Sequence, residues 1–263
     1  MKIAVLLSCM HQTDFSIIEK CNIQCDVVVV NQCNHEAHNE FTFKNKHGDE
    51  CNAVFISTKE RGLSRSRNMA LRNSNADICI ISDDDMFYPD NLIDLVSSEY
   101  ANNKGDVILF SLERKDSDKK YPCKRSPNVG LRQILKTSSP QVTFLREKVN
   151  DASISFDEKM GSGTGNGGGE EVKFLLECKK KKLKLTYTPA ILGTMIPSQG
   201  QWFHGFTKEY MLNLGWTSRR MLGSFLGYVY IWYQVVTKYP KYKCNGSFTE
   251  MISMTHKGYF AKR

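Results

Sequence analysis

The sequence predicts an α/β protein: a Rossmann-like, mostly parallel sheet flanked by helices, followed by a C-terminal helical extension. Three observations carry this. The run Asp26-Val27-Val28-Val29-Val30-Asn31 is β-branched at its centre, as expected of a strand covered on both faces. Apolar runs of strand length alternate with helix-like stretches from residue 2 to residue 111, the doubly wound pattern. The 263 residues suffice to bury one large core.

The elements follow in order. Residues 2–9 read as the first strand. The polar turn His11-Gln12-Thr13-Asp14 leads into a short helix-like segment ending at Lys20, with Asp14 as its cap. Residues 26–31 should be a central strand. Residues 35–50 are polar and read as a solvated loop, whose His35, His38 and His47 lack metal-ligand spacing. A strand is expected at 53–57, a helix at 65–73, a buried strand at 78–82, a helix at 91–100 and a strand at 107–111. Residues 113–127 are charged and proline-bearing and read as a crossover loop. In such sheets ligands collect beyond the carboxyl ends of the strands, which puts Ser8, Asn31, Ser57 and the aspartates after residue 82 on one rim.

The chemistry is concentrated in residues 60–91. Gly62-Leu63-Ser64-Arg65-Ser66-Arg67-Asn68 opens a helix, so backbone N–H groups and two guanidiniums are offered to an anionic ligand. After the helix, Ile78-Cys79-Ile80-Ile81-Ser82 ends in three adjacent carboxylates, Asp83, Asp84 and Asp85. Three like charges at the end of a buried strand are tolerable if Mg²⁺ or Mn²⁺ neutralises them. The plainer alternative is an exposed acidic turn before a helix starting at Pro89-Asp90. The combination of arginine-bearing helix start and cation site describes a clamp for a nucleotide diphosphate and a metal.

Gly-Leu-Ser-x-x-Arg-Asn, the apolar strand, the D-x-D triplet and the Pro-Asp helix start resemble glycosyltransferase family 2, of the GT-A fold. The resemblance implies that Arg67 helps hold the diphosphate, that Asp83 contacts the sugar nucleotide, and that Asp84 or Asp85 binds the metal. The triplet leaves the register open. Ser8, Asn31, Gly62 and Arg65 complete the donor-binding set. Family members begin with a Pro-x-Tyr-Asn-like turn and carry an Asp after the second strand; here Ser8-Cys9-Met10 and Asn31-Gln32 stand instead.

A second informative stretch begins beyond residue 142. Gly163-Thr164-Gly165-Asn166-Gly167-Gly168 satisfies G-x-G-x-x-G, but no strand precedes it and a lysine run stands where a ribose-binding acid belongs. A mobile glycine loop leading into a helix at Glu170-Glu171 accounts for it better, with Phe174, Leu175 and Cys178 buried. Acids in a first helical turn are favoured by the helix dipole, which also keeps them ionised. Phe156-Asp157, the glycine loop and Gly169-Glu170-Glu171 also resemble the family's Gly-Glu-Asp/Glu element. That likeness implies Glu171 as catalytic base with Glu170 beside it. Ser198-x-x-x-Trp202-Phe203-His204 resembles a segment of capsule-type members, which implies Trp202 and His204 on the acceptor side.

Residues 221–236 are apolar and aromatic, bracketed by Arg219-Arg220 and by Lys238, Lys241 and Lys243. They are short for a membrane span and suit either an interfacial anchor or a packed soluble helix. A net charge of +8 suits an anionic partner. No zinc-finger or RNA-binding signature is present, so nucleic acid is not expected. Nine cysteines without C-x-x-C pairs read as reduced thiols, and no export signal is legible, so a cytoplasmic protein, peripheral on the inner face of the membrane, is expected.

The domain expected at residues 1–216 comprises a nucleotide half to about 127 and an acceptor half from 128, with a helical tail over 217–263 that is either membrane-associated or packed on the domain. The function implied is a metal-dependent inverting transfer from a nucleotide sugar, a UDP-sugar by the likeness, to a lipid-linked or oligosaccharide acceptor in surface polysaccharide synthesis. The rivals are a sugar nucleotidylyltransferase, which needs a glycine- and arginine-rich loop after the first strand, and a non-catalytic basic module.

Overall fold

The computed structural model describes residues 1–115, 122, 124–196 and 205–262. In chain order the elements are β1 (Ile3–Met10), α1 (Ile17–Lys20), β2 (Asp26–Gln32), β3 (Ala37–Lys44), β4 (Glu50–Thr58), α2 (Leu63–Arg72), β5 (Ile78–Asp83), β6 (Met86–Phe87), α3 (Leu92–Asn102), β7 (Val107–Arg114), α4 (Leu131–Ile134), β8 (Val142–Leu145), α5 (Arg146–Asp151), α6 (Glu170–Lys180), β9 (Leu185–Met195), α7 (Lys208–Thr237), α8 (Tyr239–Tyr242) and α9 (Phe248–Phe260).

The strands form one sheet in the order β3-β4-β2-β1-β5-β8-β7-β9-β6. Its core, β4-β2-β1-β5, is parallel, and β7 pairs parallel with β9. Val5, Leu7, Val27 and Val29 face one layer with α1 and α3, while Leu6, Val28 and Val30 face the other with α2 and α6. Burial on both faces is why unbroken apolar runs, rather than alternation, mark β1 and β2. The helical layers fix the parallel strand ends, so Ser8 stands level with Asp83, and Asn31 with Ser57.

Several sequence expectations change here. Residues 35–50 are not a loop throughout, because β3 runs antiparallel to β4 at the sheet edge. Only Phe41 and Phe43 turn toward the core from it, and its other side chains face solvent, so its composition is that of a loop. Asp14 does not cap α1. Its Oδ1 accepts the Ser16 N–H at 2.9 Å, and Ser16 is the N-cap. Strand β7 extends to Arg114, into the stretch expected as a crossover. Strand β8, unforeseen, inserts antiparallel between β5 and β7.

The C-terminal region is helical, and α7 runs through residue 216. Its backbone leaves the helical region at Gly223, with φ 75° and ψ −172°, a conformation that a side chain would disfavour. The two halves then meet: a Cβ on Gly227 would lie 2.7 Å from the Ser218 carbonyl oxygen. Helix α9 packs against the first half just as closely. A Cβ at Gly215 would lie 1.9 Å from the Thr255 carbonyl oxygen, and one at Gly258 would lie 1.8 Å from that of Leu212. Gly215→Ala is therefore expected to force the helices apart and to destabilise the protein by about 3 kcal/mol, the upper end for overpacking. Urea unfolding of the variant is the check, and an unchanged midpoint would contradict this packing. Among the described residues no helix is long and apolar enough to cross a membrane.

Candidate active site

The rim formed by the carboxyl ends of β1, β2, β4 and β5 is covered from the other half of the domain by residues 156–170. The first two turns of α2 make the join. Ser64 Oγ donates to the Met160 carbonyl at 2.7 Å. Asn68 exchanges two hydrogen bonds with the Phe156 backbone, Nδ2 to the carbonyl at 2.9 Å and Phe156 N–H to Oδ1 at 2.8 Å. Leu63 N–H donates to the Ser162 carbonyl at 2.9 Å. The chain's Gly-Leu-Ser-x-x-Arg-Asn stretch thus clasps the segment of residues 156–162.

Arg67 is the centre of that clasp. Its side chain is 0% exposed, with one guanidinium nitrogen donating to Glu170 Oε1 at 2.7 Å and another to Asp83 Oδ1 at 2.8 Å. The guanidinium also lies 5.6 Å from the centre of the Phe156 ring, which stacks on Phe174 at 4.4 Å. Burial alone would make such a cation easier to deprotonate, but Asp83 and Glu170 outweigh it and hold Arg67 more basic than usual. The sequence reading offered Arg67 to a ligand phosphate; here both directed contacts go to protein carboxylates.

The other expected donor residues divide in the same way. Gly62 caps α2, but its N–H donates to Gln32 Oε1 at 2.8 Å. Asn31 is buried, receives the Gln12 N–H at 2.9 Å, and donates to the Gln12 carbonyl and Ser57 Oγ, so it shapes the turn after β1. Ser8 Oγ accepts from Ser66 at 2.8 Å. Arg65 alone of this set keeps a half-exposed side chain, 3.8 Å from Glu158.

The aspartates sit at the end of β5 as expected. Asp83 is tied to Arg67, Asp84 is exposed, and Asp85 has a buried Oδ1 without a hydrogen-bond partner among the described residues. Burial, then the charges of Asp83 and Asp84, pushes the Asp85 carboxyl up to about 6. An orphaned buried carboxylate oxygen beside two further acids fits a hard divalent cation. Among the described residues no three His, Cys, Asp or Glu side chains converge as a finished cage.

On the far side of Arg67 the two glutamates part company. Glu170 is buried in its ion pair, whereas Glu171 lines a cleft of about 540 Å³ between α6 and α7. The walls include Ser138, Gly168, Asn213, Thr217, Met221 and Tyr230. Burial first and the Glu170 charge second push the Glu171 carboxyl up to about 8, with Arg67 only partly offsetting them. Loss of water and a like charge thus oppose, at Glu171, the partial charge of about one half that the helix start offers.

Two pairings escaped sequence reasoning, although their residues, Asp157 and Gln32, stood in the stretches read above. Asp157 is held by Lys173 at 2.8 Å and by Arg220 at 2.6 and 2.8 Å, which ties α7 to the glycine loop. Burial raises its carboxyl, but the bonds from Arg220 and Lys173 win and bring it down to about 2. The bond that Gln32 receives from Gly62 is the other. Nothing local signals either, since their partners are 63 and 30 residues distant. Trp202 and His204 lie outside the described residues.

The family model described as Glycosyl transferase family 2 matches residues 8–157, more than half of this chain. No curated protein sequence matches. Among solved structures, S. aureus TarS 1-349 in complex with UDP-GlcNAc is 14% identical with a TM-score of 0.61, over 88% of this chain and 69% of that one. The mannosyltransferase PcManGT from Pyrobaculum calidifontis, in complex with GDP-Man and Mn²⁺, is 12% identical with a TM-score of 0.52, over 100% of this chain and 88% of that one. At such identities the likeness is one of fold.

Proposed function

Because this chain belongs to glycosyl transferase family 2 and has the GT-A fold, we propose that it is a metal-dependent, inverting transferase that moves a sugar from a nucleotide donor to a lipid-linked or oligosaccharide acceptor. The carrying observation is the Arg67 bridge, which connects an aspartate of the donor rim to the glutamate beside the cleft-facing Glu171. A UDP-sugar is the donor we favour; the neighbours' complexes with UDP-GlcNAc and GDP-Man support the nucleotide-sugar class more broadly.

The nucleotide lies against the rim of Ser8, Asn31 and Gly62, with the half-exposed Arg65 turning from Glu158 toward phosphate. Asp83, Asp84 and Asp85 would hold Mn²⁺ or Mg²⁺, which when bound supplies positive charge to the departing diphosphate. Glu171 takes the proton of the acceptor hydroxyl as that oxygen attacks the anomeric carbon from the face opposite the diphosphate. Glu170 and Arg67 fix the start of α6 and hence the position of Glu171. Trp202 and His204 remain assigned to the acceptor side by family likeness. The protein works in surface polysaccharide synthesis as a peripheral protein on the cytoplasmic face of the membrane.

Titration calorimetry with UDP and Mn²⁺ tests the metal rim. Asp83→Asn, Asp84→Asn and Asp85→Asn are each measured, and substitution of the true ligands should weaken Mn²⁺-dependent binding by more than the roughly 10–100-fold that loss of an outer-shell partner brings. Wild-type affinity in all three would remove the metal from this reading.

A further inference from the structure

The second half of α7 turns an apolar stripe to solvent. Phe225, Leu226, Val229, Trp232, Tyr233 and Val236 recur at helical spacing and are 37 to 77% exposed. The opposite face of the same segment, with Ile231 and Val235, is buried, so the helix is seated in the protein and the stripe is left over. Helix α9 extends the surface. His256 stacks on Tyr228 and meets the edge of Trp232, each at 5.4 Å, which brings the neighbouring Lys257 alongside, and Phe260 at the end of α9 is 64% exposed.

We propose that this stripe docks on an anionic lipid bilayer, with the helix lying in the plane of the interface. Charge selects this occupant over a second copy of the chain. Residues 208–263 carry nine Lys and Arg against two Asp and Glu, a surplus of seven in a chain whose net charge is +8. Lys241, Lys243, Lys257 and Lys262 are exposed, and Lys257 follows the His256 that packs on Tyr228 and Trp232. Two such surfaces face to face would oppose many lysines with two acids, Glu209 and Glu250, of which Glu250 already pairs with Lys208, whereas anionic headgroups attract each lysine. Phe, Trp and Tyr on the apolar side and lysine at its margins is the composition of an interfacial helix.

Docking on this stripe also sets the direction of the cleft. Tyr230 lines the cleft beside Glu171, and its ring stacks on Tyr233 of the stripe at 6.4 Å. The cleft wall and the docking face are thus contributed by one helix, so docking fixes how the cleft that Glu171 lines is held against the bilayer. This deepens the reading of a membrane-carried acceptor and rests on it for its meaning, but docking itself needs no donor.

The test uses the full chain with vesicles of phosphatidylcholine alone, and of phosphatidylcholine mixed with phosphatidylglycerol. Sedimentation should show binding to the mixed vesicles only, weakened by salt. Phe225→Ser, Val229→Ser and Trp232→Ser combined should reduce partitioning about tenfold or more while leaving Mn²⁺-dependent UDP binding intact. If that triple variant misfolds, brominated lipid supplies the second arm: it should quench the tryptophan emission of a Trp202→Phe chain, and adding Trp232→Phe, which leaves only the buried Trp216, should abolish the quenching. Equal binding to both vesicle types, quenching that survives Trp232→Phe, or a dimer dispersed by the triple variant without vesicle binding would each overturn the proposal. Docking without UDP binding would instead defeat the transferase reading and leave this surface standing.

Discussion

Arg67→Ala is expected to destabilise the protein by about 3–5 kcal/mol, the range for removing one partner of a buried ion pair. Glu170 would keep its charge in a dry site with no cation, and Asp83 would lose its only ion-pair partner among the described residues. Lysine is a poor repair, because one ammonium cannot reproduce a planar fork that reaches two carboxylates. Arg67→Met with Glu170→Leu should recover much of the stability, since a buried pair exchanged for apolar groups of similar volume is often neutral. It should not recover turnover, because the link from rim to base is gone. Denaturant unfolding and donor turnover on the three variants decide this, and an Arg67→Ala protein of unchanged midpoint would show that the bridge contributes little.

Glu171→Gln should reduce turnover by roughly 10²–10⁴-fold, the contribution of a positioned base, while UDP and Mn²⁺ affinity stay near the wild type. Glu170→Gln should affect turnover less and stability more, because Glu170 is the partner of Arg67. The pH dependence gives an independent reading. A base must be deprotonated to act, so kcat/KM should rise with pH and level off above about 8, where Glu171 titrates. Stability should run the other way. The folded state holds the Glu171 proton more tightly than the unfolded chain, so this group's contribution is full below about 4.5 and is lost as pH rises through about 8. Glu171→Gln should therefore raise the melting temperature in mildly alkaline buffer while abolishing the rate profile. An unchanged rate profile in the variant would move the base elsewhere.

Much of this was legible in the chain. The buried strands declare themselves because burial on both faces demands unbroken apolar runs, and the Asp triplet and the Gly-Glu-Glu element stand out against them. Strand β3 was not legible because an edge strand needs only two inward side chains, Phe41 and Phe43, and β8 because four residues are too few for a period. The site was readable as an inventory of groups and not as a set of pairings. Arg67 and Glu170 are 103 residues apart, so nothing in the sequence tells whether that arginine faces a ligand or a glutamate. For the same reason the upward shift of Glu171 could not be foreseen, since it depends on a cover built by α7.

The sharing of one guanidinium between two carboxylates has a thermodynamic consequence. Asp83 raises and Arg67 lowers the proton affinity of Glu171, so the charge state of the rim and that of the base are a single linked equilibrium. Any ligand that draws Asp83 away from Arg67 changes how tightly Glu171 keeps its proton. Reciprocity then requires that the protonation of Glu171 change the affinity of that ligand by the same factor. Binding at the proposed donor rim and the proton affinity of Glu171 are therefore coupled.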